Sequence, residues 1–172
     1  MKYFLVISIV ITSLFLAILG YSFSLNEEIN IKHSLVLEAP DIVVWNALTN
    51  FEDHHKWQKS IKALYNYNYS ARQVRYLIGD KTIMANQQVR VLESANTIDF
   101  IQIGKEEYTA LKNIGGQISV KSLADGNTEI SWKLSYRVNS ITQKLINKFE
   151  IQSHLDILLS NNLNSLKSYI EH

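Results

Sequence analysis

The spacing of hydrophobic and polar residues changes character four times along this chain. From Tyr3 to Gly20 no residue is charged, and most are Leu, Ile, Val or Phe. That run is apolar on every face and long enough to cross a bilayer as a helix. From Ile29 to Leu37 apolar and polar residues alternate, which predicts a half-buried strand. Pro40 follows, the single proline of the sequence, with Asp41 beside it. A proline lacks the N–H that a first helical turn leaves unpaired, and an acid there suits the helix dipole. A helix therefore starts at Pro40, with Ile42, Trp45 and Leu48 expected on one face. Asn50 and Asp53 suggest a second short helix, ending near Trp57 and carrying His54 and His55 on an exposed polar surface.

Alternation then returns. Strands are expected over 61–69, 73–78, 82–92, 97–103, 107–111, 117–123 and 128–138. Gly79-Asp80 and Asp125-Gly126-Asn127 read as turns, and Gly115-Gly116 as a bend or bulge. The last strand places Ile130, Trp132, Leu134, Tyr136 and Val138 on one face. From Ile141 the period becomes helical. Ile141, Leu145, Phe149, Leu155, Leu159, Leu163, Leu166 and Ile170 form the apolar stripe of a long helix without Gly or Pro. Strand, two helices, an antiparallel meander and a terminal helix make an α+β order, in which that helix covers the apolar face of the sheet.

Two segments carry a family resemblance. The stretch Glu38 to Trp45, EAPDIVVW, followed by Trp57, resembles the opening of the SRPBCC or START-like superfamily. Gly126 to Tyr136, GNTEISWKLSY, resembles its last hairpin strand. The likeness spans roughly residues 29 to 170. It implies the helix-grip fold, a curved antiparallel sheet wrapped around a long C-terminal helix with a cavity between them. It also implies a hydrophobic or amphipathic ligand, such as a lipid, isoprenoid or polyketide-like molecule. Some members are polyketide cyclases or dehydrases, but no catalytic motif of theirs matches here residue by residue.

Composition narrows the function further. With 17 Lys+Arg against 16 Asp+Glu the net charge is +1, and no basic block invites nucleic acid. The chain has no cysteine, so disulfides, thiolate zinc sites and a thiol nucleophile are excluded. There is no nucleophile elbow and no phosphate-binding glycine loop. No cofactor and no metal are expected. Lys2 precedes the apolar run and Glu27-Glu28 follow it, which favours a cytoplasmic N-terminus and an extracytoplasmic, periplasmic domain. Residues 1–24 are thus expected to be a single-pass anchor, reaching the membrane through residues 3–21, and 25–172 a ligand-binding domain. A cleaved signal peptide is the alternative, although no A-x-A site follows the run.

Candidate site residues follow from the strand and helix faces. Tyr65, Tyr67, Trp132 and Tyr136 offer large rings with polar tips toward the expected cavity, opposite Leu155 and Leu159 on the helix. His33 shares the apolar face of its strand and is the candidate acid or base if the protein is an enzyme. An arginine among Arg72, Arg75, Arg90 and Arg137 would bind an acidic headgroup if it pointed inward. Neighbouring His54 and His55 do not face one another on a helix, so a shared metal is not expected. The cavity is expected to hold roughly 300 to 1,000 Å³, the usual range of ligand sites. A core filled completely would leave only an interaction module.

Overall fold

The computed structural model describes residues 2–65, 70–78, 81–103 and 111–171. Helix α1 (Lys2–Ser24) leads into strand β1 (Glu28–Leu37), helix α2 (Asp41–Thr49), a 3-10 turn (Phe51–Asp53) and helix α3 (His54–Trp57). Strands β2 (Ile61–Tyr65), β3 (Ala71–Ile78), β4 (Lys81–Leu92), β5 (Thr97–Ile103), β6 (Lys112–Ser122) and β7 (Thr128–Arg137) follow. Helix α4 (Ile141–Ile146), a π-helical turn (Asn147–Ile151) and helix α5 (Gln152–Glu171) close the chain. The strands form one antiparallel sheet in the order β1-β7-β6-β5-β4-β3-β2, a meander closed by the return of β1 to β7.

Local chemistry fixes the boundaries. Pro40 caps α2 in extended backbone (φ −60°, ψ 149°), and Asp41 opens the helix within bonding distance of Ser122 Oγ. At the β6–β7 hairpin Gly126 takes φ +82°, which only glycine adopts without strain, and the Asp125 carboxylate accepts from Asn127 N. The expected bulge lies just before Gly115, where pairing with β7 shifts between Lys112 and Gly115 and Asn113 takes φ 53°. Ser140 and Gln143 form a reciprocal capping box that starts α4. The expected strand at 107–111 falls mostly outside the described residues, as does the Gly79-Asp80 turn.

The sheet curves around α5, whose Leu155, Leu159, Leu163 and Leu166 are buried against Ile130, Trp132, Tyr136 and Val138. Three expected faces differ from those observed. On α2 the buried stripe runs through Val44 and Leu48, Trp45 is half-buried at its edge, and Ile42 is exposed. His54 is fully buried, because Phe51, His54 and Trp57 recur every third residue through the 3-10 turn and α3 and all face the core. Phe149 is 74% exposed. The π-turn inserts one residue into the helical register, so Asn147 and Ile151 turn inward and Phe149 outward.

Candidate functional site

A cavity of about 130 Å³ lies between the sheet and the start of α5. Its walls come from β3 to β7 on one side, including Ala85, Phe100, Gly116, Trp132 and Leu134, and from Ile151, Leu155, Leu158 and Leu159 on the other. The volume is smaller than the 300 to 1,000 Å³ expected from the sequence. As it stands the cavity suits a single aromatic ring or a short branched chain. Every lining residue is buried or half-buried except Glu150 and His154, so those two mark where the cavity meets the surface.

The polar part of the wall is built around Arg72. Its side chain is buried, with the guanidinium carbon 4.5 Å from the Phe100 ring centre and 5.7 Å from that of Phe51. Both contacts fall within cation–π range. Arg72 Nε donates to Gln87 Oε1 at 2.9 Å, and Nη1 lies 3.1 Å from His54 Nδ1. The tautomer of His54 follows from its neighbours. Its Nε2 is 2.7 Å from the Leu48 carbonyl, which can only accept, so Nε2 carries the proton and Nδ1 accepts from Arg72. Burial, with the Arg72 charge beside it, lowers the His54 pKa to about 3. His54 is therefore a neutral prop that fixes a cation in the wall. Gln58, Gln87 and Gln102 add amide groups to the same lining.

The residues singled out from the sequence divide. Trp132, Leu155 and Leu159 line the cavity. Tyr136 lies deeper in the core, where its hydroxyl donates to Asn147 Oδ1 at 2.6 Å and burial pushes its pKa up to about 12. His33 does not line the cavity. Its strand β1 is an edge of the sheet, and its Nε2 sits 2.9 Å from the Asp156 carboxylate on α5, joining strand to helix near the surface. Tyr67 and the side chain of Tyr65 lie outside the described residues. Among the described residues no group of three His, Asp or Glu could hold a metal ion.

Gln58, Gln87 and Gln102 were not picked out beforehand; Arg72 was one of four arginines considered and His54 was expected on an exposed surface, yet a signal for each of those two exists. Arg72 stands two residues before Val74, which is completely buried, so strand alternation puts both on the inner face. His54 lies three residues from both Phe51 and Trp57.

No family model matches the chain, and no curated protein does. Solved structures do. A Streptomyces aromatase/cyclase superimposes with a TM-score of 0.71 at 9% identity, covering 84% of this chain and 94% of its own. A START superfamily protein from Mycobacterium smegmatis gives 0.62 at 16% identity, covering 83% and 97%. A major latex-like protein from Panax ginseng gives 0.62 at 13%, covering 84% and 99%. The likeness is one of fold. The curved sheet, its strand order and the terminal helix are those of the START-like helix-grip architecture.

Proposed function

We propose, from this helix-grip fold and its cavity, that the protein binds a hydrophobic or amphipathic small molecule between sheet and α5 while tethered to a membrane by α1. The observation that carries the reading is the cavity itself: mostly apolar walls with a few polar groups gathered around one buried cation. Apolar ligand surface leaving water contributes about 25 cal/mol per Å². Arg72 and the nearby amides would orient a carbonyl, hydroxyl or carboxylate oxygen on the ligand. A ring or branched tail fits inside, and a longer chain would trail through the mouth between Glu150 and His154.

Helix α1 supports the tether. It offers 22 residues, Tyr3 to Ser24, with a mean hydropathy of 2.5 over its most apolar 18 residues, which meets the length of a membrane span and equally that of a signal sequence. The domain would then lie on the extracytoplasmic side, opposite Lys2.

The binding reading is tested with a fluorescent single-ring aromatic carboxylic acid, such as salicylic acid, titrated into the full chain in detergent. Binding is expected at a micromolar Kd, about −8 kcal/mol. Leu159→Trp should fill the cavity and abolish binding while circular dichroism stays unchanged. Overpacking of this kind costs about 1 to 3 kcal/mol, which a stable domain tolerates. Equal binding by the variant would place the ligand elsewhere.

A further inference from the structure

The last turn of α1 is packed against the domain. Ser22 is completely buried, and the Tyr21 ring lies 6.4 Å from that of Phe149 on the π-turn. Beyond the helix, Glu27 O accepts from Val138 N, and the Glu27 carboxylate pairs with Lys144 Nζ at 3.2 Å. Among the described residues the span and the segment after it thus meet the domain at the π-turn, α4 and Val138 just before α4. Large apolar side chains are exposed here, Phe149 at 74%, Ile146 at 42% and Phe23 at 72%; among the described residues beyond α1, Phe149 is the most exposed of them, ahead of Ile42 at 59% and Ile157 at 56%. Lys148 beside them is exposed too.

The bilayer fixes the height of this patch. A hydrocarbon core of about 30 Å takes about 20 helical residues, so a span beginning at Tyr3 leaves the core near Ser22. Tyr21 and Phe23 then sit where aromatic rings concentrate, at the boundary between tails and headgroups. Phe149, against Tyr21, shares that level. The cavity mouth is close by. Glu150 is the next residue and His154 is five residues beyond Phe149, about 7.5 Å along the helix. A headgroup layer is about 5 to 7 Å deep on each side. The rest of α5 leads away from the span, since Glu171 at its end accepts from Glu38 N, just past the far end of β1.

From this arrangement we infer that the π-turn and the last turn of α1 form one membrane-interface surface, and that the cavity mouth opens onto the leaflet from which α1 emerges. The ligand would pass between bilayer and cavity without crossing bulk water. The π-turn has a defined part in this, because the residue it inserts turns Phe149 toward the lipid while Ile151 stays in the cavity wall. The inference rests on the proposed tether and adds to it where the domain sits and which way its cavity faces.

Because the chain has no cysteine, single cysteines can be labelled one at a time. Leu14→Cys, Phe149→Cys, His154→Cys and Asp125→Cys in the full chain would each carry bimane, in phosphatidylcholine nanodiscs with or without nitroxide lipids. Asp125 serves as the control, on the hairpin at the far end of the sheet. Chain nitroxides should quench the Leu14 label, and headgroup nitroxides should quench the Phe149 and His154 labels by about half or more. Asp125 should stay unquenched. If Leu14 is quenched but Phe149 and His154 match Asp125, the tether stands and this inference is overturned. Loss of quenching at Leu14 would overturn the tether and the inference together.

Discussion

His54 is buried as a neutral imidazole, with its two nitrogens committed to Leu48 and Arg72. Its folded pKa of about 3 lies below the ordinary value of 6.5. The unfolded chain therefore takes up a proton here that the folded chain refuses. The linked stability is fully present above pH 6.5 and is lost as pH falls toward 3. Within that window the loss approaches about 1.4 kcal/mol per pH unit. Urea unfolding of the full chain in detergent, between pH 6.5 and 4.5, should show this slope. His54→Asn should flatten it, although its stability at pH 7 is lower. Identical slopes in the two proteins would mean that His54 is not the group that titrates.

At the scale of elements, strands and helices were legible because their periods were clean. The alternation at 128–138 and the leucines of the terminal helix gave both faces of the core. Two departures had physical causes that a fixed period does not contain. The π-turn moved Phe149 from the expected apolar stripe to the surface, and the 3-10 turn rotated His54 inward. The irregular step from Phe149 to Leu155, six residues rather than seven or four, was the trace the π-turn left in the sequence. The site was less legible than the fold. Its apolar walls followed from strand and helix faces, but which of the four arginines would point inward was left open, because arginine usually lies on a solvated face. The inward position of Arg72 depends on Phe51, His54 and Phe100, which are distant in sequence. The terminal helix is the element on which the domain depends most. A chain ending at Asn139 would expose the inner face of the sheet that α5 covers, so it should aggregate rather than unfold cooperatively. A soluble truncation with a sharp melting transition would show that α4 and α5 are dispensable to the core.

For the molecule as a whole, the proposed span and interface patch lead from α1 to the cavity mouth at Glu150 and His154. If α1 remains attached and crosses the bilayer, the native protein should stay in the membrane pellet after an alkaline carbonate wash. A mature N-terminus near Ser24 in that fraction's supernatant would show a cleaved signal sequence instead. The central claim is that the space between sheet and α5 holds a lipophilic molecule, and native mass spectrometry tests it most directly. Full-length protein extracted from its own membranes and released from detergent in the gas phase should carry one small molecule of defined mass. Leu159→Trp, prepared identically, should fly without it. Bare protein from both preparations, at every activation energy that preserves the folded charge states, would contradict the claim.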